Sequence, residues 1–291
     1  MAAGTAIWVT AWAAACAAQP SMAAPAPASV WTAPRIVSLS PHITELLFAA
    51  GAGARIVGVD DASDYPPGAQ QIPRLGEAAA LDVEGLLRQA PSLVIVWETG
   101  TPPRVLAELE RFHLRVLVTE QRKLDDIGRV LVEFGRLAGT SATADAAARR
   151  YRADLADLRT RYAGRERLKV FYQVWDRPFY TLSGEHVVSE AISLCGGDNI
   201  FAEVSTLAPI VDREAVLARN PDVILIGAAG PDGERQAADW ERFPSLEAVR
   251  KKHVFSLDPS LVGRMAPRIL EGVREVCTAL EKARGERPRL Q

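Results

Sequence analysis

From Ser141 to Tyr162 the chain contains neither glycine nor proline, and this run narrows the fold most. Ala148, Tyr151, Leu155, Leu158 and Tyr162 recur in it at helical spacing, with Gly139 and Gly164 just outside. At about 1.5 Å per residue it predicts one stiff helix of roughly 30 Å. On both sides of it, short apolar runs alternate with amphipathic helical patterns. Upstream, the spacing predicts strands at Ile36–Leu39, Ile56–Val59, Leu93–Trp97 and Val116–Thr119. Helices are predicted between them at His42–Ala50, Val83–Gln89, Arg104–Phe112 and Leu124–Ala138. Ser40-Pro41 offers a cap and a first-turn proline for the first helix. Downstream, strands are predicted at Lys169–Val174, Val223–Ile226 and Val254–Leu257. Helices follow at Val187–Leu194, Arg213–Arg219, Ser245–Arg250 and Pro267–Ala283. This alternation is the signature of βαβ units. The expected fold is therefore α/β, two Rossmann-like lobes with mostly parallel sheets joined by a single long helix. The expected divisions are 35–139, 140–166 and 167–291, after an N-terminal segment 1–34.

The halves echo each other. Asp82-Val-Glu84-Gly-Leu-Leu-Arg-Gln-Ala-Pro91 leads into Ser92-Leu-Val-Ile-Val96, and Asp212-Arg-Glu214-Ala-Val-Leu-Ala-Arg-Asn-Pro221 leads into Asp222-Val-Ile-Leu-Ile226. Thr44-Glu45-Leu46-Leu47 and Ser189-Glu190-Ala191-Ile192 form a second, weaker echo. Two echoes at similar separation favour an internal duplication over chance. Duplicated lobes imply a cleft between them, where ligands bind.

The segment before Arg35, the first charged residue, is Ala- and Trp-rich and passes through Ser21-Met22-Ala23-Ala24. It reads as a secretory signal with cleavage after Ala23, although no basic residue opens it. Ala14-Ala15-Cys16 gives a minor alternative, lipid anchoring at Cys16. Cleavage after Ala23 would leave two cysteines, Cys195 and Cys277. In an exported protein an even pair suggests one disulfide; the alternative is two buried thiols. A net charge of −2 gives no electrostatic reason to expect nucleic acid as a partner. No Gly-x-Ser-x-Gly elbow, His-Glu-x-x-His helix or P-loop is present, which argues against an exported enzyme. The histidines show no metal-ligand spacing, so no metal site is expected.

Arg35-Ile-Val-Ser-Leu-Ser-Pro-His-Ile-Thr-Glu-Leu-Leu-Phe-Ala-Ala-Gly51 resembles the opening strand and helix of the cobalamin-binding periplasmic proteins. Ser63–Pro67, Pro91–Trp97, Cys195-Gly-Gly-Asp-Asn-Ile-Phe201, Arg213–Arg219 and Pro267-Arg-Ile269 resemble that family in the same order. The resemblance runs from Arg35 to about Ala283. It implies the class III periplasmic binding protein fold, a periplasmic location, no catalysis, and no cofactor beyond a transported ligand. That ligand would be cobalamin or another corrinoid, delivered to an ABC transporter permease and ATPase by a protein that is monomeric when free. Haem or a ferric siderophore is the alternative ligand. It also implies a Cys195–Cys277 disulfide tying the C-terminal helix to the helix ending at Cys195.

The resemblance further implies that Glu84 and Glu214, one per lobe, dock onto permease arginines. Otherwise each is an ordinary first-turn glutamate, with Asp82 and Asp212 as caps. Trp97 and Tyr180 match ligand-contact aromatics, and Trp175 is a looser candidate beside them. Asp258 and Arg264 would reach the ligand as an acid and a base, or else form a solvated surface pair. His42 starts a helix expected to border the cleft, facing either ligand or solvent. The chain departs from the family's aromatic pattern at Ala62, Ala78 and Ala208, which would change the ligand or enlarge the pocket. A single long helix should allow little change of shape on ligand binding.

Overall fold

The computed structural model describes residues 33–285, together with Met1 and Ala2. The expected export signal, with Cys16, lies outside the described residues apart from these edges.

The first sheet holds β1 (Ile36–Ser38), β2 (Ile56–Val59), β5 (Leu93–Trp97) and β6 (Val116–Thr119) in the order β2-β1-β5-β6. A small antiparallel pair, β3 (Gly76–Glu77) and β4 (Ala80–Leu81), lies beside it. Its helices are α1 (Pro41–Ala49), α2 (Val83–Arg88), α3 (Pro103–Arg111) and α4 (Leu124–Ala138). Then comes α5 (Ser141–Tyr162), the long helix, with the residue limits its composition predicts. The second sheet holds β7 (Leu168–Gln173), β10 (Gly197–Asn199), β11 (Val223–Ile226) and β12 (Val254–Ser256) in the order β10-β7-β11-β12. The hairpin β8 (Trp175–Asp176) and β9 (Phe179–Tyr180) follows β7. Helices α6 (Val187–Leu194), α7 (Arg213–Arg219), α8 (Gly230–Glu241), α9 (Glu247–Arg250), α10 (Pro259–Val262) and α11 (Ile269–Ala283) complete the chain.

All pairings within both four-stranded sheets are parallel. In each sheet the first strand pairs with the second on one side and the third on the other, with the fourth outermost. The two sheets thus share one strand order, as a duplication would give. The central strands β1, β7 and β11 are almost wholly buried, because helices cover both faces of a parallel sheet. They therefore read as continuous apolar runs rather than as alternation.

Some elements escape a period-based reading. Helix α8 begins at Gly-Pro-Asp-Gly and carries little apolar periodicity, so its 12 residues went unpredicted. Strand β10 is Gly-Asp-Asn, with no β-branched residue, and is held by pairing with β7. Ser40 occupies the cap position of α1, but its hydroxyl meets His42 Nδ1 at 2.7 Å instead of a backbone amide. Asp82 and Asp212 do cap α2 and α7, accepting from Gly85 N at 2.8 Å and Ala215 N at 2.7 Å.

Helix α5 is no bare strut. Ala144, Ala148, Tyr151, Leu155 and Leu158 are buried, and Tyr151 Oη donates to the Leu124 carbonyl at 2.8 Å. One apolar cluster runs from Ile36 and Leu46 through these residues to Val170, Ile192 and Val276. The two lobes thus share a core, which resists relative motion more than a lone helix would.

The Cys195–Cys277 disulfide is present, joining the end of α6 to α11, with both residues fully buried. It closes a loop of 82 residues. Replacing both cysteines by alanine should lower the unfolding free energy by about 3–5 kcal/mol, measured by urea titration. A loss below about 1 kcal/mol would contradict this.

Candidate functional site

Both lobes turn the C-terminal ends of their strands toward each other. Arg264, in the segment after β12, reaches Asp64, in the segment after β2, at 2.5 Å. Glu190, on α6, accepts at 2.7 Å from the amide of Leu124, which follows β6. The lobes therefore meet where strand ends converge, the place where ligands bind in open α/β sheets generally.

On the first lobe, Trp97 closes β5 half-buried. Its indole Nε1 donates to Glu120 Oε1 at 3.1 Å, and Glu120 Oε2 accepts from Thr99 N at 3.1 Å. His42 meets the indole edge-on, with ring centroids 5.3 Å apart. Gly100 lies against its face: a Cβ there would stand 2.0 Å from the indole. The ring is thus fixed in orientation by three neighbours. A Gly100→Ala variant must displace it, so the near-ultraviolet circular dichroism of the indole is expected to change; an unchanged spectrum would mean that Gly100 does not hold the ring.

His42 corrects one expectation of the sequence. It is 3% exposed, so it faces neither solvent nor an open cleft. Desolvation by burial, assisted by the nearby Arg264 charge, lowers its pKa to about 3, against a smaller opposing effect of Gln121. With Nδ1 held by Ser40, its Nε2 has no hydrogen-bond partner among the described residues, nor does Gln121 Oε1. The imidazole is a neutral support behind Trp97.

On the second lobe, Trp175 pairs with Tyr180 across the β8–β9 hairpin, and Tyr180 bridges in turn to Ile210. Cross-strand partners share a face, so the three form one row. The opposite face carries Asp176, paired with Arg235 at 2.7 Å, and Phe179, packed against Phe171 and Trp240. That face belongs to the core. The row is left outward, with Trp175 62% and Ile210 63% exposed. Large apolar side chains so exposed, side by side, mark a contact surface.

Asp258 and Arg264, expected to reach the ligand, each have partners of their own, which removes the alternative of a surface ion pair between them. Asp258 caps α10, accepting from Ser260 N at 2.8 Å and Ser260 Oγ at 2.7 Å. It lines a cavity of about 480 Å³ with Ser256, Glu275 and Lys282. Arg264 is 18% exposed at its side chain and ion-paired to Glu45 and Asp64 of the other lobe. An isolated guanidinium could not stay so buried, and two carboxylates supply its counter-charge.

Glu84 lies in the first turn of α2, 89% exposed at its side chain and 3.7 Å from Arg88. Glu214 takes the same place on α7 and is exposed. Each helix runs back to the start of the next strand, so both first turns stand at the strands' C-terminal ends. The geometry leaves both carboxylates available to a partner.

Sequence reasoning missed Ile210, Gly100 and Glu120. It also missed Tyr65, which is 40% exposed with the Arg268 guanidinium 3.7 Å from its ring centre. Of these only Tyr65 lay in a segment singled out from the sequence, Ser63–Pro67; the other three carried no sequence signal. Tyr65 and Ile210 stand three and two residues beyond Ala62 and Ala208, and supply apolar surface near those ring-free positions. Among the described residues no group of three or more His, Cys, Asp and Glu could hold a metal ion.

Residues 36–261 match the family described as periplasmic binding protein. A vitamin B12-binding protein of Vibrio cholerae serotype O1 is 36% identical over 256 residues, covering 88% of this chain and 92% of that one. One of Yersinia pestis is 33% identical over 245 residues, covering 84% and 85%. The crystal structure of the periplasmic vitamin B12 binding protein BtuF of Vibrio cholerae superposes with a TM-score of 0.81 at 35% identity, covering 87% of this chain and 99% of that one. The periplasmic heme-binding protein RhuT of Roseiflexus gives 0.76 at 26% identity, covering 87% and 99%. With two α/β lobes of the same strand order around a shared core, the chain belongs to the periplasmic binding protein family.

Proposed function

We propose that this protein is the substrate-binding component of an ABC importer, holding cobalamin or a related corrinoid between its lobes. The observation that carries the reading is the outward row Trp175–Tyr180–Ile210 on one lobe, together with the fixed indole of Trp97 on the other. Broad apolar faces suit a flat macrocycle, which loses little conformational freedom on binding and offers large area to stack. The relatives named for vitamin B12 support the same choice. In this reading residues 35–139 and 167–291 are the lobes, and the N-terminal segment is a removed export signal. The protein works as a monomer until Glu84 and Glu214 dock it on a permease.

Haem is the second reading, supported by the RhuT likeness. Titrating purified protein with cyanocobalamin, cobinamide and haem separates the two. Saturable binding of a corrinoid at micromolar concentration or tighter is expected. Binding of haem alone would overturn the first reading in favour of the second.

A further inference from the structure

The weaker of the two sequence echoes, Thr44-Glu45-Leu46-Leu47 and Ser189-Glu190-Ala191-Ile192, has a structural meaning of its own. Glu45 lies on α1 and Glu190 on α6, the first helix of each lobe. Each carboxylate is spent outside its own lobe. Glu45 is 3% exposed at its side chain and accepts from Arg264 Nη1 at 3.1 Å and from Arg268 Nε and Nη2 at 3.0 and 2.7 Å. Both arginines lie between β12 and α11, in the second lobe. Arg264 also holds Asp64 at 2.5 Å, and Arg268 stacks on Tyr65, both residues of the first lobe. Glu190 does the converse. It accepts from the amide of Leu124, at the start of α4 in the first lobe, at 2.7 Å. It also accepts from Arg159 of α5 at 3.0 Å, and Arg159 grips Asp125 of α4 through two contacts of 3.1 and 2.8 Å.

We infer that Glu45 and Glu190 are duplicated positioning residues that set the angle between the lobes: two crossed clamps, each throwing a carboxylate from one lobe onto the other. Charge-assisted and bidentate contacts are directional, and burial raises the penalty for parting them. Opening the lobes would strip Glu45 of both arginines and the α4 amide of its acceptor at once. Helix α5 alone fixes the spacing of the lobes at its own position. The clamps add two separate points of fixation, so bending and twisting both meet resistance. Cleft width and the separation of Glu84 from Glu214 follow from that angle.

Spin labels at Arg111→Cys on the first lobe and Arg242→Cys on the second report the interlobe distance in the ligand-free full chain, by pulsed electron resonance. Measurement without ligand keeps the result separate from what the cleft binds. Glu45→Gln with Glu190→Gln should broaden the distance distribution and move its centre by more than about 2 Å. Glu247→Gln serves as control, since among the described residues Glu247 pairs within its own lobe, with Arg250 and Lys251, and it should leave the distribution as in the parent. A folded double variant with the parent's distribution would overturn the inference. Should Glu45→Gln prevent folding, Arg159→Gln combined with Glu190→Gln opens the more exposed clamp alone, and the same two outcomes decide.

Discussion

Moving from pH 7 to pH 5 is expected to reduce the unfolding free energy by about 3 kcal/mol, chiefly through two histidines. His42 titrates near 3 in the folded protein because burial disfavours its charged form. His186 is lowered to about 4 for the same reason, partly opposed by Glu120. Unfolded, both return to about 6.5. Below pH 6.5 the unfolded chain takes up protons that the native fold refuses. The stability they contribute is therefore complete above 6.5, and it is lost as pH falls toward 4 and 3. At pH 5 that amounts to about 2 kcal/mol for His42. It is less for His186, which keeps part of its hydration. His186 has a second reason to stay neutral: its Nδ1 accepts the Val188 amide at 3.2 Å, capping α6.

Other groups act in different windows or in the opposite sense. Arginines lower Asp64 and Asp125, whose contributions fade only as pH falls below about 4. Asp60 is raised by burial, so its protonation favours the native state on acidification and works against the histidines. The check is urea unfolding at pH 7, 6 and 5 for the parent and for His42→Asn with His186→Asn. Asparagine keeps an acceptor where Nδ1 stood. The double variant should start less stable and lose much less between pH 7 and 5. A slope equal to the parent's would mean the histidines are not the cause.

If Glu84 and Glu214 dock the protein as proposed, reversing their charges should abolish uptake without touching ligand affinity. Glu84 and Glu214 stand exposed in first turns at matching places, and Asp82 and Asp212 rather than they cap the helices. Lysine at either place removes a small helix-dipole benefit, so folding should change by less than about 1 kcal/mol. Against the permease arginines that the proposed docking implies, the same change would turn attraction into repulsion. Coupling of close interfacial charge pairs is worth about 1.5 kcal/mol or more each, so the double reversal should weaken docking by more than about 100-fold. Uptake of radiolabelled cyanocobalamin by cells carrying Glu84→Lys with Glu214→Lys is the measurement, with cyanocobalamin affinity of the purified variant as control. Normal uptake by the double variant would sink the docking role.

The fold was largely legible because its strands are buried on both faces and its helices carry apolar stripes. Those patterns are local, so Ile36, Leu93 and Val223 announce strands from their neighbours alone. The long helix and both aspartate caps were legible for the same reason, whereas the cysteine pair came from counting what the expected cleavage leaves and from the family resemblance, and the duplication from comparing distant segments. The site was legible only in part. Trp97 could be placed at a strand end from sequence, yet the ring's fixed orientation depends on Gly100, Glu120 and His42, which meet only after folding. Whether Arg264 faces a ligand or a carboxylate 219 residues away is not a property of any short segment. Asp258 reads as a ligand contact or as half of a surface ion pair with Arg264; its capping of α10 through Ser260 was not anticipated.

Alternation and capping thus determined the lobes, since hydrogen bonding and burial periodicity are short-range demands written into successive residues. Three-dimensional packing alone decided that Glu45 and Glu190 cross between lobes, that His42 is entombed, and that Ile210 stands outward. Burial and charge pairing depend on distance in space, which chain order does not encode.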